Sequence, residues 1–115
     1  VGDMDRVAAQ FGKSDGVQAR HFIFSFHPLE LDSHIEAAHI AQEITACFGI
    51  EYQTVSAVHE DQRHLHIHTV INSVSYVDGH RYRGTKQEFY TMKDQVRQIL
   101  RRYGIDRLDY VSSYR

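Results

Sequence analysis

The chain has 115 residues, a formal net charge of −2, 42% hydrophobic and 11% aromatic residues, one cysteine and nine histidines. Such a length makes one domain that buries about two-thirds of its unfolded surface, and the composition excludes disordered and fibrous classes. No apolar run approaches the roughly 20 residues of a membrane-spanning helix, residues 1–10 lack a secretory-signal pattern, and Cys47 has no partner for an internal disulfide. A soluble, cytoplasmic protein with no membrane partner is expected.

Charge is uneven. Residues 1–57 carry 3 basic and 8 acidic side chains, a net −5, whereas residues 58–115 carry 10 and 7, a net +3. An anionic partner should therefore meet the second half.

In chain order, a short helix is expected around residues 4–11, then a strand over residues 20–26 (RHFIFSF), rich in the aromatic and β-branched residues that suit a pleated surface. Ser33 and Glu36 fit a capping box, Ala37, Ile40, Ala41, Ile44 and Phe48 recur at helical spacing, and Gly49 offers a stop. The spacing predicts a helix at about 33–48, with Cys47 as a small core hydrophobe. Strands over residues 51–58 (EYQTVSAV) and 64–74 (HLHIHTVINSV) follow. Asp78-Gly79, flanked by Ser75-Tyr76-Val77 and His80-Arg81-Tyr82, suits the type I′ turn of a short hairpin. Thr85 and Glu88 repeat the capping box, Phe89, Met92, Val96, Ile99, Leu100 and Tyr103 form an apolar stripe, and Gly104 supplies a stop, which predicts a helix at about 86–103. A last strand is expected near residues 108–112. This order implies an α+β fold, an antiparallel sheet flanked by helices.

The histidines concentrate chemistry: His59, His64, His66 and His68 fall within ten residues. In a strand, His64, His66, His68, Val70 and Asn72 share one face and Leu65, Ile67, Thr69 and Ile71 the other. If residues 60–63 form a hairpin loop, His59 lies opposite His64 and joins the imidazole face. Neutral imidazoles that converge make a natural divalent-metal site. Three protein ligands leave a coordination position open for substrate or water, the arrangement of catalytic rather than structural sites.

The pattern His59-x-Asp61-x-x-His64-x-His66-x-His68, followed by Val70, Ile71 and Asn72, resembles the metal strand of the relaxase, or mobilisation nuclease, family of the HUH group. Residues 20–30 (RHFIFSFHPLE) are similar to that family's strand ending in Ser-Phe-x-Pro-x-Glu, and Asp78-Gly79 with the tyrosine-bearing segment and helix after it also fits. The resemblance covers most of the chain and implies one relaxase domain over residues 1–115. It assigns a divalent ion (Mn, Mg or Zn) to His59, His66 and His68, leaves His64 as a further imidazole at the site, and makes Asp61 the acid that orients a histidine or the nucleophile. It also implies a single-stranded origin-of-transfer DNA as substrate, DNA contact at Asn72, and accessory mobilisation proteins as partners.

In that family a tyrosine attacks the scissile phosphate from a segment before the strand matched by residues 20–26. No tyrosine precedes Tyr52 here, so the chain is expected to begin inside the domain and no nucleophile is assigned. Lys93, Arg97 and Arg101 line one helix face beside Arg102, and Arg81 and Arg83 flank Tyr82. Both groups are candidate DNA contacts, by phosphate neutralisation and base stacking. Glu30 suits the positive end of the first helix, and His21 and His27 are read as structural. Residues 64–70 are also similar to the alternating motif of histidine-triad nucleotide hydrolases and transferases, but there the motif lies near the chain end and follows Gly-Gln, whereas here His59 and Asp61 precede it and 47 residues follow His68.

Overall fold

The computed structural model describes residues 6–7, 9–13, 16, 18–62, 64–106, 108 and 110–114. Six elements follow in the order β1 (Ala19–Phe26), α1 (His34–Phe48), β2 (Thr54–Asp61), β3 (His64–Asn72), α2 (Lys86–Arg101) and β4 (Tyr110–Tyr114). The strands form one antiparallel sheet in the order β2-β3-β1-β4. The expected α+β architecture is thus present.

Alternation decides the faces. Phe22, Phe24 and Phe26 of β1 and Leu65, Ile67 and Ile71 of β3 are buried to 2% exposure or less, and they share one core with Ala37, Ile40 and Ile44 of α1 and Met92, Val96, Ile99 and Leu100 of α2. Burying each large apolar side chain stabilises by roughly 1.5–3 kcal/mol. Both helices therefore cover the same face, and the intervening positions of β1, β2 and β3 look away from it.

The helix ends follow local chemistry. Ser33 Oγ accepts the Glu36 N–H at 3.2 Å at the start of α1. Gly49 ends that helix in a right-handed conformation, φ −66°, where an added Cβ would stand 2.8 Å from the Thr45 carbonyl oxygen. Space, not left-handed geometry, makes glycine fit there. At α2 the Thr85/Glu88 capping box is complete. Its far end closes through Gly104 at φ +76°, with the Ile105 N–H bonded to the Leu100 carbonyl at 3.1 Å, a Schellman-type ending.

Several boundaries differ from expectation. The N–H groups of Glu51 and Tyr52 bond to the Phe48 carbonyl at 3.2 and 2.9 Å, so they belong to the helix end and β2 begins at Thr54. β2 then runs on to Asp61 and β3 begins at His64, which shortens the link between them, with Gln62 at φ +50°. Asp61 consequently pairs with His64, and His59 pairs with His66 rather than His64. A shift of two residues preserves the face.

β3 ends at Asn72, and the Asp-Gly segment makes a single bridge, Val74 to Arg81, not a ladder. Gly79 has φ +77° but Asp78 does not reach positive φ, so the turn is not type I′, which needs both. β4 lies two residues later than expected. Residues 6, 7, 9 and 10 are helical and Phe11 lies in the turn that follows; residues 4, 5 and 8 of the expected first helix lie outside the described residues. Among the described residues no helix is long and apolar enough to cross a membrane.

Candidate metal centre

β3 is flanked by β2 on one side and β1 on the other, so both edges of its backbone are hydrogen-bonded and its outward side chains sit on a stiff support. Opposite His66 stand His59 from β2 and Ser25 from β1; opposite His68 stand Ala57 and Ile23. Direct cross-strand partners share a face, so His59, His66 and His68 are brought together as the sequence implied. The rings of His59 and His68 stack with centroids 4.3 Å apart and planes 28° apart, and His66 lies 6.2 Å from His68. His68 is the common neighbour.

A fourth imidazole completes the group. His21 of β1 has its ring centroid 5.2 Å from that of His68, and its Nε2 is 3.1 Å from His68 Nδ1. Reading the sequence as single elements makes His21 structural; the pairing of β1 with β3 is what carries it to the cluster. His64 sits nearer the turn, its ring edge-on to His27 at 5.7 Å, with Asp61 opposite it in register.

Partial burial lowers the pKa of His68, and the possible charges of His59, His21 and His66 lower it further. The neutral ring, with a free lone pair, is the form that binds a metal. Donor type and register therefore suit a divalent cation. The rings as they stand are stacked rather than convergent, and among the described residues no three His, Cys, Asp or Glu side chains surround one point at ligand distance. Register brings the donors near; side-chain rotation would have to aim them.

The candidate DNA contacts scatter. Asn72 is 1% exposed and its amide is engaged within the protein, donating to Gln53 Oε1 at 3.0 Å and accepting the Val74 N–H at 3.0 Å. It is a strand-end clamp, and its outward register position gives DNA no access to it. Arg81 is part-buried and donates to the Lys13 carbonyl at 3.2 Å. Arg83 is exposed, its backbone tied to Arg20 and Glu88. Lys93 lies over the Phe89 ring at 5.6 Å, and Arg97 pairs with Asp94 at 3.3 Å. Arg101 is exposed. These last three belong to α2, on the opposite side of the sheet from the histidines, so the structure does not bring them to the cluster.

Among the described tyrosines, Tyr90 is exposed but stands on α2, on the opposite side of the sheet from the histidines. Burial pushes Tyr52 well above the ordinary phenol value and Tyr82 up to about 12, and the Tyr103 hydroxyl is raised by its hydrogen bond to Glu43. Tyr76 donates to the Ile50 carbonyl at 3.0 Å.

Residues 1–105 match the family model described as relaxase, MobA/VirD2-like, nuclease domain. Two Staphylococcus aureus proteins, each named Protein rlx, are 33% and 32% identical to this chain over 97 residues, which is 84% of this chain and 30% of each relative. A third Protein rlx from the same organism is 26% identical over 83 residues, 72% of this chain and 25% of that relative. The chain thus spans about 30% of the length of these two curated relatives. No solved structure matches.

Proposed function

Because the chain belongs to the MobA/VirD2-like relaxase nuclease-domain family, we propose that its open sheet face is the metal-binding half of a centre that nicks single-stranded DNA at an origin of transfer. The observation that carries this reading is the packing of His59 and His66 around His68 on one outward face. These three side chains would hold a divalent cation: manganese, magnesium or zinc. Bound there, it would polarise a phosphoryl oxygen and offset the charge that develops on the scissile phosphate.

The chain's own part is positioning. The interior strand β3 fixes His66 and His68, and the short hairpin fixes His59 against them. Partial burial lowers the pKa of His68 and so favours its neutral form. Asp61 and His64, partners at the turn end, supply a carboxylate and an imidazole able to orient an attacking hydroxyl and take its proton. In the reaction proposed for the whole protein, a tyrosine oxygen bonds to phosphorus, the bond from phosphorus to the 3′-oxygen breaks, and a 5′-phosphotyrosine and a 3′-hydroxyl result. Accessory mobilisation proteins and a cytoplasmic setting belong to the same reading.

Calorimetric titration of manganese or zinc tests the ligand set. Wild type should bind one ion, and His66→Ala should lose at least tenfold in affinity, since two imidazoles hold a labile ion poorly. Equal affinity in the two proteins would overturn the assignment.

A further inference from the structure

We propose that His21 is a positioning residue of this centre: its Nε2 accepts a hydrogen bond from Nδ1–H of His68 and so locks His68 in the tautomer that leaves Nε2 free for a cation. The proposal rests on His68 being a ligand. Its basis is geometric, the 3.1 Å separation of the two nitrogens and the 5.2 Å, 45° arrangement of the rings.

Two neutral imidazoles at hydrogen-bond distance share one proton between the facing nitrogens, which leaves two arrangements. If His21 donated, the proton of His68 would sit on its Nε2, and both nitrogens of His68 would be committed. If His68 donates, its Nδ1 is satisfied and its Nε2 carries the lone pair. Only the second is compatible with metal binding through Nε2, and it is the arrangement in which a second group orients a ligand histidine.

The identity of the partner has a chemical consequence. A carboxylate in that position would add a negative charge beside the cation; a neutral imidazole adds none. Neither Ile23 nor Ala57, the residues opposite His68, brings a charge. His21 would therefore orient His68 while leaving the full double charge of the ion to act on a phosphate.

Long-range nitrogen–proton spectra of the metal-free, ¹⁵N-labelled protein at pH 8 read the tautomer directly. His68 should show a protonated Nδ1 and an unprotonated Nε2; the reverse pattern in wild type overturns the proposal without any variant. In His21→Ala the preference should vanish and metal affinity should fall about 10- to 100-fold, the range seen when such orienting partners are removed. His21→Gln, whose carbonyl can accept the same proton, should recover most of both. If His66→Ala abolishes binding while His21→Ala leaves the tautomer and the affinity unchanged, the role of His21 is refuted and the ligand set stands. If His66→Ala has no effect, the ligand set itself fails. Absorption-edge spectra that count four imidazoles on the ion, falling to three in His21→Ala, would make His21 a ligand and overturn its positioning role.

Discussion

His59 and His68 stack at 4.3 Å although neither is the other's cross-strand partner; His66 stands opposite His59 and Ala57 opposite His68. The diagonal contact is possible because Ala57 is a methyl group, leaving the space beside His68 for the His59 ring to lean across. Ala57→Leu should fill that space and push His59 aside. Metal affinity should then drop about tenfold, while stability changes by no more than about 0.5 kcal/mol, as is usual at an exposed position. Calorimetry and thermal unfolding of the same variant separate the two effects, and unchanged affinity would mean that the stacking has no part in binding.

DNA binding should depend on the ion more than on α2. Among the described residues, no lysine or arginine occupies an outward position of β1, β2 or β3, so the histidine face has little to offer a phosphate until a cation is bound. Excess chelator should weaken binding of a single-stranded oligonucleotide at least tenfold. The double variant Arg97→Ala/Arg101→Ala should leave the logarithmic salt slope within about 0.5 of wild type, because its cations lie on the other layer. A slope reduced by one or more per charge removed would instead place the DNA path over α2.

The Tyr82 hydroxyl is buried and has no hydrogen-bond partner among the described residues. Tyr82→Phe should stabilise the fold by about 1 kcal/mol, the lower end of the penalty for an unsatisfied buried group. The pH dependence has a definite sign. An unfolded chain gives up this proton near pH 10 and the folded one near 12, so the folded state binds more protons between those values and stability is lost as pH rises through that window. Tyr82→Phe should flatten part of this alkaline limb, Tyr52 contributing in the same direction. Denaturant titrations at pH 9 and pH 11 would reveal it; identical pH dependence in the two proteins would mean that Tyr82 does not titrate differently on folding.

With metal and an origin oligonucleotide, residues 1–115 should form no covalent adduct on a denaturing gel, since transesterification needs an aligned hydroxyl as well as a polarised phosphate. An adduct that disappeared on a single Tyr→Phe change would locate the nucleophile within this chain. In excess chelator the protein should also fail to hydrolyse a dinucleotide or nucleoside phosphoramidate, substrates that a metal-free histidine-triad enzyme would cleave.

What could be read from the sequence was what short range decides. The alternation of His64, His66 and His68 with Leu65, Ile67 and Thr69 gives the two faces, and the Thr85/Glu88 box gives the start of α2 to the residue. Register and strand order were not legible, because they depend on loop length and on which distant segments meet. The link between β2 and β3 is two residues shorter than a loop at 60–63 would make it, which moves His59 from His64 to His66. The role proposed for His21 needed β1 beside β3, and burial of Asn72 needed the Gln53 side chain and the turn at Val74. None of these is encoded by periodicity within a single element.

The short link between β2 and β3 also bears on the order in which the centre is assembled. β2 and β3 are neighbours in the chain, so their pairing closes a small loop and belongs to events of roughly 1–10 μs, whereas β1 must find β3 across α1 and β4 must find β1 from the other end of the chain. His59, His66 and His68 would thus meet in a nascent hairpin, and His21 would join when the slower strand docks. Ligands that bind a folded form stabilise it by mass action. An ion captured early would favour the register with all three imidazoles outward over the one-residue slip that would turn His66 and His68 toward the core, acting as a proofreader of the sheet before it serves any chemistry.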